Sequence, residues 1–150
     1  MNGQLLIGSS MIIATTIIHV VGLVSLIAVL RNHLRVAARM NLHLRIMGFI
    51  ILAIFGIFFM HSVEIWLWAV VYVQLGEFDG FARALYFSTA TFTTLGYGDV
   101  TLNPAWQLLS SLESANGIIL TGVSTAFAFG VVRRAFEMAG VVGSEDASIE

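Results

Sequence analysis

Three long apolar runs and one short one organise the chain. Leu5–Leu30, Ile46–Val73 and Ala105–Val132 carry almost no charge. Each exceeds the roughly 20 residues that a helix needs to cross about 30 Å of hydrocarbon. Between the second and third lies "FARALYFSTATFT", Phe81 to Thr93. Thirteen helical residues reach only about 20 Å, so this segment is expected to dip into a membrane and return. The predicted elements are three spanning helices and one half-length, re-entrant helix. The first run is longer than a signal-peptide core of roughly 7–15 residues, and "MNGQLLIGSS" before and within it lacks a basic start, so it reads as a retained span.

Composition agrees with lipid as the main solvent. The 150 residues are 58% hydrophobic and 11% charged, against roughly 25% charged in soluble domains, and mean hydropathy is +0.91. The expected class is an all-α integral membrane protein. Net charge of −2 gives no argument for nucleic acid as a partner. The absence of cysteine excludes disulfide and thiol chemistry. Arginine placement sets the expected topology. Arg31, Arg35, Arg39 and Arg45 lie between the first two spans, and Arg133 and Arg134 follow the third. In a three-span chain both groups fall on one side, which the positive-inside rule makes cytoplasmic. The N-terminus, the short helix, Glu77 and Asp79 then face outward, and the C-terminus is cytoplasmic. The stretch "RNHLRVAARMNLHLR" sets Arg31, Arg35 and Arg39 four apart; a voltage-sensing helix would carry such arginines inside an apolar span, and these lie outside one, so it reads as an anchor or a short interfacial helix among lipid headgroups. The expected divisions are 1–45, 46–134 and a short acidic tail, 135–150.

The segment "ATFTTLGYGDV", residues 90–100, carries the chemistry. Gly96 and Gly98 flank Tyr97, and glycine permits backbone angles closed to other residues. Such a backbone can turn successive carbonyls to one side. Copies around an axis would form stacked oxygen rings able to replace the water shell of a cation, with Thr94 adding a hydroxyl and Tyr97 bracing from outside. Asp79 is positioned to cap the short helix, whose C-terminal end carries partial negative charge favourable to a cation. Irregular backbone at membrane depth survives only when buried in protein or lining a wet cavity. One chain of this size cannot enclose such a path, so several copies are required.

"TTLGYGD" resembles the selectivity filter of potassium channels, whose common form is TVGYG. The order of outer helix, "RALYFSTATFTT", glycine motif and inner helix, over Ile46–Arg134, is similar to the two-helix pore module of prokaryotic potassium channels in the ion-channel family. The resemblance implies potassium sites at Thr94, Leu95, Gly96 and Tyr97, with Gly98 ending the filter and Asp99 at its outer mouth. It implies a homotetramer in a prokaryotic plasma membrane, with potassium ions, lipids and its own copies as partners, no catalytic residues and no cofactor beyond the permeant ion. It also makes Gly117 or Gly122 a candidate gating hinge, against plain close packing of helices. The chain departs from the pattern in three places. Leu95 stands where valine or isoleucine is usual, Ala90 stands where some relatives hold a buried glutamate, and the first span is extra.

Ionisable groups inside spans cost several kcal/mol unless paired or wet, so each is a candidate site. Glu64 and Glu113 both fall roughly 12–14 Å below the outer surface at 1.5 Å per residue, the depth of the short helix. They are expected to support that helix and the filter from behind, bonding to Thr89, Tyr86 or Trp66, unless each is satisfied locally. His61 shares a helix face with Glu64 and is a third candidate for that support. Together they read as half of a metal site, for which His19 and Glu113 are the other intramembrane candidates. His19 also reads as a hydrogen-bonded interior residue, and His33 and His43 as solvated. Trp66, Trp68 and Tyr72 suggest an interfacial belt. The competing functions are a weakly selective cation channel, a non-conducting accessory channel subunit, and a small membrane enzyme or metal-binding protein.

Overall fold

The computed structural model of the chain describes residues 2–141; the last nine residues of the acidic tail lie outside the described residues. Four α-helices follow in order: α1 (Asn2–Val36), α2 (Leu42–Gln74), α3 (Phe81–Phe92) and α4 (Gln107–Met138). A short 3-10 turn, Ala37–Arg39, joins α1 to α2. Three of these helices are long and apolar enough to cross a membrane, and α3 has the half length read from the sequence. No strand occurs among the described residues. Arg31 and Arg35 belong to the last turns of α1 rather than to a loop, because nothing between Leu30 and Val36 breaks a helix.

The turns have local causes. Asn41 accepts a hydrogen bond from the His43 amide at 2.9 Å and so caps α2. At the other end of α2, Gly76 adopts φ +72°. The Glu77 amide returns to the Tyr72 carbonyl and the Gly76 amide to the Val73 carbonyl, the double closure that a left-handed residue after a helix permits. Gly80, in extended conformation, occupies the N-cap of α3 without a side-chain bond. The expected Asp79 cap is therefore corrected: the helix begins one residue later than that cap requires. Glu77 instead closes the outer loops, its carboxylate accepting from the Asn103 amide at 2.7 Å and from Asn103 Nδ2 at 3.1 Å.

α1 packs against both α2 and α4. Glycines set the approach: Met60 of α2 sits over Gly22 of α1, and Leu26 of α1 sits over Gly56 of α2. Two apolar clusters result. One joins Leu26, Leu30, Phe49, Ala53, Met60 and Val131. The other gathers Trp68, Tyr72, Phe78, Phe87, Phe92 and Leu109 around α3. Trp68 and Tyr72 are 0% exposed, whereas Trp66 is 55% exposed. This corrects the expected aromatic belt. Trp68 and Tyr72, four residues apart, share the face of α2 that meets α3, where Tyr72 packs edge-on to Phe87 at 5.2 Å. Only Trp66 points outward. Replacing Trp68 with alanine should lower stability in detergent by about 3–5 kcal/mol, and Trp66→Ala should change it by within about 0.5 kcal/mol; thermal unfolding of the two variants side by side checks the assignment.

Candidate functional site

The glycine segment begins where α3 stops. The Thr93 amide still reaches the Thr89 carbonyl at 3.1 Å and the Thr94 amide the Thr91 carbonyl at 3.0 Å. The chain then leaves the helix, and the Gly96 amide bonds back to the Ala90 carbonyl at 3.1 Å. Thr94, Gly96 and Gly98 have φ of +60°, +54° and +75°, and the intervening Leu95 and Tyr97 do not share that sign. In an ordinary strand carbonyls alternate between opposite sides. A backbone that alternates the sign of φ turns every second peptide over, so its carbonyls face one way. Gly96 and Gly98 adopt such angles without a side-chain clash. Thr94 is β-branched, and the left-handed region costs such a residue about 1–3 kcal/mol. The surrounding hydrogen bonds hold it there. Nothing in the sequence announces this angle, since threonine is disfavoured in that conformation.

Around the segment stands a set of polar contacts, exposed at Tyr86–Asp99 and buried at Glu113. Tyr86 Oη donates to Asp99 Oδ2 at 2.8 Å. Asp99 thus has a partner on α3 one turn before Ala90, a residue that offers no hydrogen-bonding side chain. Glu113 of α4 is fully buried. It accepts from Tyr72 Oη of α2 at 2.6 Å and from Ser88 Oγ of α3, while Ser88 Oγ also lies 2.9 Å from the Ile65 carbonyl oxygen. One carboxylate therefore joins three helices. The expected partners are corrected: Thr89 donates to the Leu85 carbonyl, Tyr86 serves Asp99, and Trp66 faces away. Ser88 shares the buried face of α3 with Ala84 and Phe87, and Thr89 does not. Ser114 Oγ donates to the Thr91 carbonyl at 3.0 Å. One turn further along α4, Gly117 lies so close to the Phe92 carbonyl that an added Cβ would run into it, whereas Gly122 faces open space.

Glu64 goes elsewhere. Its Oε1 lies 2.8 Å from His19 Nδ1 and its Oε2 2.9 Å from His61 Nδ1. Ser124 Oγ of α4 lies 3.0 Å from His61 Nε2 and 3.4 Å from His19 Nε2. The two glutamates, expected to act together, thus occupy separate networks, and Glu113 takes no part in the histidine group. The His61 ring brings this group to α3, its centre 5.6 Å from that of Phe92. α1 is joined to α4 by polar contacts as well. Gln4 Oε1 accepts from the Leu108 amide at the start of α4, at 3.1 Å, and Asn116 Nδ2 donates to Thr15 Oγ1 at 2.7 Å. These links bridge more than a hundred residues of chain, which sequence reasoning has no means to pair; the polar residues of the first span, Gln4, Thr15 and His19, are the one available signal.

A family model described as ion channel matches residues 49–134, more than half of the chain, running from the apolar part of α2 to the end of the third apolar span. No curated protein and no solved structure matches the chain. Gly117→Ala should force α3 and α4 apart and lower stability by about 1–3 kcal/mol. Gly122→Ala, with free space around it, should be neutral or gain up to about 1 kcal/mol of helix preference. Melting of both variants in detergent distinguishes a close-packing glycine from an unconstrained one.

Proposed function

The chain belongs to the ion-channel family, and on that premise we propose that it is a potassium-selective channel in which four copies surround one pore. The observation that carries the reading is the alternation of positive φ at Thr94, Gly96 and Gly98, within "TLGYG", at the C-terminal end of a half-length helix. In the proposed assembly the carbonyls of Thr94, Leu95, Gly96 and Tyr97 and the Thr94 hydroxyl take the place of the ion's water. The α3 helix end adds partial negative charge on the approach. Passage is passive and single-file. The Tyr86–Asp99 bond and the Glu113–Ser88–Tyr72 group support the filter and the pore helix from behind.

The exposed apolar residues of α4, among them Ile118, Ile119, Val123 and Phe129, supply surface for neighbouring subunits and lipid. Six of the seven arginines on one side support a cytoplasmic C-terminus and an outward N-terminus, and the resemblance supports a prokaryotic plasma membrane. Gly122 is the better placed of the two glycines to bend, because Gly117 is pinned against α3.

Purified protein in liposomes should pass potassium, with barium block, and its reversal potential in mixed sodium and potassium should follow potassium; Gly96→Ala should abolish the flux. Equal sodium and potassium permeability would replace this reading with that of a weakly selective cation channel, and absence of flux from folded protein with that of an accessory subunit. Tyr86→Phe removes one hydrogen bond to Asp99, worth about 1 kcal/mol. It should shift the balance between conducting and inactivated filter by a factor of about five, read from the steady fraction of open channels.

A further inference from the structure

The histidine group has no role in conduction as proposed. His19 comes from α1, His61 and Glu64 from α2, and Ser124 from α4. Glu64, His19 and Ser124 are buried, at 0%, 1% and 3% exposure, and the His61 side chain is 16% exposed. One ligand atom from each of His19, His61 and Glu64 lies within 4.8 Å of the other two. Counting hydrogens shows what the ring lacks. For Glu64 to accept from both histidines as a carboxylate, each Nδ1 must carry a hydrogen. If both rings are neutral, each Nε2 is then an acceptor. Ser124 has one hydrogen to give and faces two such nitrogens. The ring is short of one positive centre.

We propose that His19 Nδ1, His61 Nδ1 and the Glu64 carboxylate form a binding site for a divalent transition metal of the zinc class. With the ion on both Nδ1 atoms, each neutral ring carries its hydrogen at Nε2. Both rings then donate to Ser124 Oγ, whose two lone pairs match two donors, and the hydroxyl hydrogen is free to turn to a carbonyl of its own helix. That is the outer-shell arrangement that fixes the tautomer and orientation of metal-bound imidazoles. Two imidazoles and one carboxylate, with a fourth position left for water, are a known zinc donor set. Imidazole ligands favour zinc, copper, nickel or iron over calcium and magnesium, which take oxygen. Tetrahedral zinc with bonds of 2.0–2.1 Å sets its ligand atoms about 3.3 Å apart. The two Nδ1–carboxylate pairs, at 2.8 and 2.9 Å to separate oxygens of Glu64, would open by about half an ångström as the carboxylate turns one oxygen to the ion, and the three ligand atoms already lie within 4.8 Å of one another. The ion would fasten α1 to the pore-forming helices beside Phe92, the last residue of α3.

The test uses the full-length protein in detergent, stripped with chelator and titrated with Zn2+ or Co2+. The expected result is one ion per chain by elemental analysis, visible absorption bands of four-coordinate Co2+, and a higher melting temperature with Zn2+. Ser124→Ala keeps all three ligands and should weaken Zn2+ binding by about 10–100-fold. His19→Ala should abolish the Co2+ bands, and His33→Ala should leave them intact. The wild-type titration decides the matter even if a variant fails to fold. Absence of stoichiometric metal and of Co2+ bands, with a melting temperature that responds to pH but not to Zn2+, would assign the missing positive centre to a proton and overturn the site. None of these readouts uses ion flux, so they stand apart from the test of potassium conduction.

Discussion

A backbone inside lipid must find partners for every amide and carbonyl, because no water is there to serve them. Helices meet that demand by themselves. The stretch from Thr93 to Trp106 does not, and the arrangement of the pore-forming helices follows from accommodating it. The positive φ angles at Thr94, Gly96 and Gly98 take this stretch out of the helical pattern that pairs each carbonyl with an amide. Backbone of this kind at membrane depth is tolerated only where it is buried in protein or lines a wet cavity, and the proposed path of the ion is such a cavity. The strain at Thr94 makes the same point in energetic terms. A β-branched residue stays in the left-handed region only where its neighbours leave no alternative, and here the amides of Thr93, Thr94 and Gly96 all hang from the last turn of α3.

That last turn must itself be fixed. Glu113 does this from α4, reaching Ser88 on α3 and Tyr72 on α2. A carboxylate is costly to bury, but this one receives two hydroxyl donors and replaces three separate helix contacts with one node. Gly117 and Ser114, on the same stretch of α4, hold the end of α3 by contact with the Phe92 and Thr91 carbonyls. The position of the glycine segment is therefore set by polar contacts from behind and by backbone proximity, with aromatic packing around Tyr72, Phe78 and Phe87 filling the remainder.

The elements themselves were legible in the sequence. Length and hydropathy give three spans and a half-length helix, and the order of half helix and glycine motif gives the pore-like arrangement. The faces of the helices were not legible. In a soluble protein polarity marks the outside, but in lipid both sides of a helix are apolar. Hence Trp66, Trp68 and Tyr72 looked alike, although two of them form the core and one faces out. Polar residues reveal a face only through their partners. Glu64 and Glu113 lie at the same depth and looked like a pair, yet the rotation of α2 and α4 sends one to the histidines and the other to Ser88. The Tyr86–Asp99 contact was hidden for a related reason. Ala90 offers no hydrogen-bonding side chain, while the Tyr86 hydroxyl one turn earlier reaches Asp99.

The first helix gains its place in this scheme by the same physics. Between apolar helices in lipid there is little hydrophobic drive to associate, so close packing and polar contacts must supply it. α1 has both. Gly22 and the glycine opposite Leu26 bring it near α2, and Gln4, Thr15 and His19 each meet a polar group on α2 or α4 at a different depth. Contacts spread along the helix resist both rotation and sliding, since a shift of one residue would turn every one of these side chains by about 100°. The register of α1 is thereby tied to that of α4, and through His61 and Phe92 to the end of α3. A helix that lies outside the matched residues is in this way joined to the end of α3.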